Sequence, residues 1–129
     1  DHNEMMDLFN NNLIYISNNY SDGMPNILLE AICNCTFPIQ SNPGGASAEI
    51  INDFENGLLI NDCDDVLEIK GKIELALSDE SLIKKAYQLN KKIRHDLEYD
   101  KIKKQVVQKY YEVKSDLKDE YYNTMDRKM

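Results

Sequence analysis

An α/β fold built on a parallel sheet with flanking helices, continued by a helical C-terminal segment, is what this sequence predicts, on three observations. Short apolar runs at residues 13–17, 37–41 and 58–60 alternate with loop and helix signals, the pattern of strands joined by crossover connections rather than hairpins. From Asp62 onward the chain turns charged and 3.6-periodic. With 129 residues, 42% of them hydrophobic, there is material for one packed domain and not for two.

The elements follow in order. Met5, Met6, Leu8 and Phe9 mark an amphipathic turn or two over residues 4–10. Leu13-Ile14-Tyr15-Ile16-Ser17 has the β-branched and aromatic character of a buried strand. A polar loop over residues 18–25 carries Asp22-Gly23 and ends at Pro25-Asn26, a proline and a capping-type residue placed as a helix start over Ile27-Leu28-Leu29-Glu30-Ala31-Ile32-Cys33 requires. Phe37-Pro38-Ile39-Gln40-Ser41 reads as the second strand, Asn42-Pro43-Gly44-Gly45 as a loop, and residues 47–54 as a helix. Asn56-Gly57 signals a tight turn before Leu58-Leu59-Ile60, the third strand.

Three helices complete the chain. Val66, Leu67, Ile69, Ile73, Leu75 and Leu77 mark the first, with Gly71 a weak point of about 1 kcal/mol against alanine. Ser78-Asp79-Glu80 caps the second, which carries Leu82, Ile83, Ala86, Leu89 and Ile93. The third runs from Glu98 through Ile102, Val106, Val107, Tyr110, Tyr111 and Val113, and its polar remainder to Met129 is expected to fray.

Charge excludes some partners. Fifteen Lys and Arg against 23 Asp and Glu give a net charge of -8, which offers no footprint for a nucleic-acid backbone or an anionic bilayer, so an anionic ligand must be held locally. No run approaches the roughly 18 to 20 apolar residues of a membrane span. The start, Asp1-His2-Asn3-Glu4, has neither region of a signal peptide, so a cytoplasmic location is expected. A first residue that is not Met fits a fragment or a trimmed chain. Cys33, Cys35 and Cys63 are odd in number, and Cys33-x-Cys35 is too close for the usual metal or redox spacing; all three read as free thiols in packing positions.

Chemistry concentrates at residues 21–31. The segment offers a strand end, a glycine that lets a ligand approach the backbone, and a helix N-terminus whose unpaired N–H groups and dipole favour an anion such as a pyrophosphate. Asp22 in the loop and Glu30 one turn inside the helix bracket it, and carboxylates accept hydrogen bonds from the hydroxyls of a sugar or a ribose diol. An ordinary turn at Asp22-Gly23 and a solvated Glu30 are the bland alternative. It suits Glu30 less well, since Leu28, Leu29, Ala31 and Ile32 surround it.

Ser21-Asp22-Gly23-Met24-Pro25-Asn26 through Glu30-Ala31, then Phe37-Pro38-Ile39, Gly44-Gly45 with Glu49-Ile50, and Glu55-Asn56-Gly57-Leu58-Leu59, together resemble the donor-binding half of retaining glycosyltransferases of the GT-B fold. The hallmark of that group is a Glu-x7-Glu pattern around G-x-P-N, which stands here as Asp22-x7-Glu30. The likeness runs over residues 4–112. It implies a Rossmann-like lobe lacking its first strands, with residues 1–113 a partial nucleotide-sugar-binding lobe and 114–129 a helical extension.

The same resemblance implies the roles. Asp22, the catalytic residue of this reading, would bind hydroxyls of the donor sugar with the backbone around Gly23 and Met24. Pro25, Asn26, Ile27 and Leu28 would form the helix start, with the amides of Ile27 and Leu28 facing the diphosphate. Glu30 would bind the ribose. Asp in place of the commoner Glu at position 22 shortens the reach by one methylene. Gly44 and Gly45 could approach the ligand or simply turn the chain, and Glu49 could be functional or a helix N-terminal acid. His2 and His95 look isolated, the lysine pairs interleave with acids as a solvated face does, and Tyr110-Tyr111 and Tyr121-Tyr122 read as helix packing.

Substrates and setting are also implied: a nucleotide-sugar donor, a glycan or lipid-linked acceptor held by an N-terminal lobe absent here, no metal, no other cofactor and no nucleic acid. The enzyme would act in surface polysaccharide or glycoconjugate synthesis, cytoplasmic or peripheral at the inner membrane face, and this chain alone would be inactive. Two other readings compete. One is a non-catalytic truncated lobe serving as an interaction or scaffold module; the other is a phosphorylase-type relative, for which no lysine is placed to hold a pyridoxal cofactor.

Overall fold

The computed structural model describes residues 1–21 and 23–126, with side chains as far as Lys114. Helix α1 (His2–Asn11) leads into strand β1 (Ile14–Ser17), helix α2 (Asn26–Cys33) and strand β2 (Phe37–Ser41). A four-residue 3-10 turn (Ala46–Glu49) precedes strand β3 (Leu58–Ile60), and helices α3 (Val66–Ser78), α4 (Glu80–Asp96) and α5 (Tyr99–Asp126) follow. The strands lie in the order β1-β2-β3, all parallel, with Ile14 opposite Phe37 and Ile39 opposite Leu58. The chain divides into two compact units, Asp1–His95 and Asp96–Met129. Position 113/114 lies inside α5, which runs through it without a break.

The central strand explains the core. All five residues of β2 are buried, and period-2 alternation sends Phe37 and Ile39 to one face with Leu58 and Ile60. Ala76 of α3 and Leu82 and Ala86 of α4 cover that face. On the other, Leu28 and Ile32 of α2 meet Ile51 and Leu59, flanked by Tyr15, Met24 and Ile93. Helices therefore flank both faces, which is why β2 and β3 read as short continuous apolar runs instead of alternating ones; β1, expected to be buried, is at the sheet edge and only half-buried, with Ile16 exposed.

Local chemistry sets the helix ends. Asp65 caps α3 by accepting from the amides of Leu67 and Glu68, and Asp79 accepts from the amide of Leu82 at 2.9 Å at the start of α4. α2 ends in a Schellman motif: Thr36 N–H donates to Ala31 C=O at 3.0 Å and Cys35 N–H to Ile32 C=O at 2.9 Å. Cys35 takes φ +59° there, at a position that usually holds glycine.

The helix expected over residues 47–54 does not form. The 3-10 turn stops at Glu49, and Asp53 instead makes an isolated bridge with Gly57. The Asn56 side chain has taken two backbone groups a helix would need, and Asp53 turns to β3. Asn56 Oδ1 accepts from Asn52 N–H at 2.7 Å, its Nδ2 donates to Ile50 C=O at 3.0 Å, and Asp53 Oδ1 accepts from Leu59 N–H at 2.8 Å. The last bond closes the outer edge of β3. Lys72, only 11% exposed, backs it with an ion pair to Asp53 at 3.3 Å and sits 4.2 Å over the Phe54 ring. The outer edge of β1 has no strand beside it among the described residues.

In the second unit, α5 exposes Tyr110 and Tyr111, which were expected to pack, together with Val113. The Tyr121-Tyr122 side chains lie outside the described residues. Along the same helix Lys109 and Gln108 reach Glu112 at 2.7 and 3.0 Å.

Candidate functional site

Because the strands are parallel, the loops after Ser17, Ser41 and Ile60 lie side by side at one edge of the sheet, where open α/β sheets hold ligands. Hydrogen bonds join these loops. Asn18 Nδ2 donates to Cys63 C=O at 2.9 Å, Cys63 Sγ donates to Asn19 C=O at 3.2 Å, and the Tyr20 hydroxyl donates to Asp64. The bond to Asp64, and then the charge of that carboxylate, raise the Tyr20 pKa above the ordinary phenol value. Ser41 Oγ holds Asn19 from the end of β2, and Ser47 Oγ reaches back to Ser41 C=O at 3.0 Å.

α2 begins at this cluster. Pro25, buried, holds the N-cap position with φ −69° and ψ 124°, and no side chain caps the helix. Asn26, expected to lie just outside the helix, is already its first residue. The amides of Leu28 and Leu29 donate to Pro25 C=O at 3.1 and 3.3 Å. Those of Asn26 and Ile27 have no protein acceptor among the described residues, and both residues are exposed. A helix start with two donors left open by the described residues is a place for water or an anion.

The remaining candidates fall around it. Gly23 is exposed; a Cβ built there meets nothing within 4 Å and its φ is not left-handed, so the fold itself does not demand glycine. Met24 packs into the α2 face of the core, and Leu28 is wholly buried in it. Glu30 is 34% exposed, with His2 Nδ1 3.9 Å from its Oε1. His2 is thus not isolated, and nothing in the spacing of two residues on different helices could have paired them. Asp22 lies outside the described residues.

Gly45 has a structural reason to be glycine: φ +83° at the entry to the 3-10 turn, where its amide donates to Asn42 C=O at 3.4 Å. Gly44 is exposed in the same turn. Glu49 is exposed and lies in the first turn of that short 3-10 helix, and the longer helix expected over residues 47–54 does not follow it. The three cysteines are free and half-buried, and burial raises the Cys33 thiol against the opposing charge of Arg94. Among the described residues no group of three or more His, Cys, Asp and Glu is placed to hold a metal ion.

Residues 1–96 match the model of the family described as glycosyl transferases group 1. The chain belongs to this family. Over 96 residues it is 30% identical to a protein of Campylobacter jejuni named GalNAc-alpha-(1->4)-GalNAc-alpha-(1->3)-diNAcBac-PP-undecaprenol alpha-1,4-N-acetyl-D-galactosaminyltransferase, a match covering 74% of this chain and 26% of that protein. The fold matches the crystal structure of the C-terminal domain of a glycosyl transferase group 1 family protein from Francisella tularensis, with a TM-score of 0.66 and 27% identity, covering 75% of this chain and 49% of that one. The group 1 fold is thus the GT-B-like α/β lobe that the motifs implied. The chain spans about a quarter of the curated relative and about half of the solved domain. Among the described residues no helix is long and apolar enough to cross a membrane.

Proposed function

We propose that this chain is the donor-binding lobe of a retaining glycosyltransferase that moves a hexose-type sugar from a nucleotide-sugar to a glycan or lipid-linked acceptor. The observation that carries the reading is the start of α2, where the amides of Asn26 and Ile27 have no acceptor among the described residues and lie between exposed Gly23 and half-exposed Glu30. A diphosphate suits the two amides and the helix dipole, each contact contributing on the order of 0.3 to 2 kcal/mol. Glu30 accepts from the ribose hydroxyls, and Asp22 from the donor sugar.

Transfer in this class breaks the bond between the anomeric carbon and the diphosphate oxygen and forms one to an acceptor hydroxyl with retention. The protein's part is electrostatic: stabilising the departing diphosphate and an oxocarbenium-like transition state. No metal or other cofactor enters the reading. The remaining diphosphate charge is met by cations outside these residues, as is the acceptor, and the 129 residues alone do not turn over. The name of the Campylobacter relative, with its undecaprenol diphosphate acceptor, supports a lipid-linked acceptor and a setting in surface-glycan assembly. A cytoplasmic or peripheral location belongs to the same reading.

A non-catalytic interaction module is favoured by one feature, the exposed Tyr110, Tyr111 and Val113 of α5. Ligand-observed NMR of the chain with a panel of UDP-, GDP- and ADP-sugars separates the two. The donor lobe binds one nucleotide class and loses it in Glu30→Ala; a folded chain that binds none of them counts against it, and the same panel on the full reading frame then separates the module from a lobe short of its outside cations.

A further inference from the structure

Ser41 ends the central strand with 1% of its surface exposed, an environment that favours an aliphatic side chain. Its hydroxyl is nevertheless fully used: Oγ accepts from Gln40 Nε2 at 3.5 Å, and its two shorter bonds go to the backbone of one residue in another loop, accepting from Asn19 N–H at 2.8 Å and donating to Asn19 C=O at 3.0 Å. The regular ladder between β1 and β2 has its last pair at Ser17 and Gln40. One residue further along β2, a side chain takes over what a strand backbone would do. The chain after β1 can therefore leave the sheet while Asn19 stays pinned to it.

Two further ties converge on the same stretch. Cys63 Sγ also donates to Asn19 C=O, and Asn18 and Tyr20 on either side bond to Cys63 C=O and Asp64. Three successive residues are thus anchored immediately before the segment that leads through Gly23 to the amides at the start of α2. The Ser41 anchor comes from the buried centre of the sheet, whereas Cys63 and Asp64 belong to the loop after β3, and Ser17 Oγ at the half-buried end of β1 accepts from Asn19 Nδ2 at 3.1 Å. We propose that Ser41 is a positioning residue for nucleotide-sugar binding, acting through Asn19 to fix the loop before α2. This rests on the donor-lobe reading, and it adds a residue that touches no ligand.

The test is Ser41→Ala, which removes the hydroxyl without adding volume. Amide hydrogen exchange at residues 19–24 is expected to speed up by roughly tenfold, the size of about one net hydrogen bond. Exchange at Ile39 and Ile60 should stay within about twofold, and the dissociation constant of whichever nucleotide-sugar the wild-type chain binds should rise by about the same tenfold. A merely structural serine would speed exchange across the whole sheet, and that result overturns the proposal. Faster exchange confined to the loop with unchanged donor affinity also overturns it while leaving the donor lobe intact. A wild-type chain that binds no nucleotide-sugar removes the donor-lobe reading itself, and the positioning role with it.

Discussion

Asn56 and Asn90, 34 positions apart in sequence, hold each other inside the core: Asn56 Nδ2 donates to Asn90 Oδ1 at 3.1 Å, and Asn90 Nδ2 donates to Asn56 C=O at 3.1 Å. Both are fully buried, and Asn56 also organises the segment before β3 through Asn52 and Ile50. Replacing Asn90 by Ala removes both bonds and strands Asn56 C=O away from water. Loss of about 2 to 3 kcal/mol is expected in a urea melt. A change under about 0.5 kcal/mol would show that the pair does not hold α4 to that segment.

Cys35 should be a stabilising target. It closes α2 at φ +59°, where an L side chain crowds the following carbonyl, while both Schellman hydrogen bonds are already in place. Cys35→Gly relieves that strain and gains about 1 kcal/mol, read as a higher urea midpoint at unchanged slope. An unchanged or lower midpoint would mean the left-handed conformation carries no strain here.

Gly57 shows the opposite case. A Cβ at this position would lie 2.7 Å from Pro38 Cγ and 2.9 Å from Pro38 O, so β2 and the approach to β3 would have to separate. Gly57→Ala is expected to cost about 1 to 3 kcal/mol. Wild-type thermal stability in this variant would contradict the close approach.

Glu68 links stability to pH. The amide of Asp62, then that of Asn61, holds its carboxyl below the usual carboxylate range by donating to the charged form. Since the folded pKa is the lower one, the stabilisation is complete above the pKa that Glu68 has in the unfolded chain. It is lost as pH falls through the folded value. Carbon-detected NMR titration should find Glu68 below the usual carboxylate range, with the Asn61 and Asp62 amides shifting alongside it. Titration within the usual carboxylate range would remove the contact.

How much of this was legible in the sequence depended on what kind of force made each feature. The apolar runs at 37–41 and 58–60 coincide with β2 and β3, because strands buried on both faces leave a continuous hydrophobic signature. The helix signals after Asp62 were equally plain, with Asp65 and Asp79 capping as their residue types suggest. The stretch from Ser47 to Phe54 misled, since its helix-like pattern was overridden by Asn56 bonding to its backbone at Asn52 and Ile50, while Asp53 turns its side chain to Leu59 N–H in β3. The region around α2 was legible as a helix start beside a glycine. Its ties were not: Ser41 to Asn19, Asn18 to Cys63 and His2 to Glu30 join segments 22 to 45 positions apart, and such bonds leave no period to read.

The central claim is that the start of α2 and Glu30 bind a nucleotide-sugar. Saturation-transfer NMR of the wild-type chain and of Glu30→Ala, with UDP-, GDP- and ADP-sugars side by side, measures this most directly. The account predicts contact with the ribose and base protons of one nucleotide class, weakened by at least about tenfold in Glu30→Ala, with the amide spectrum showing an intact fold. Equal binding by the two proteins, or none by a folded wild type, would contradict it.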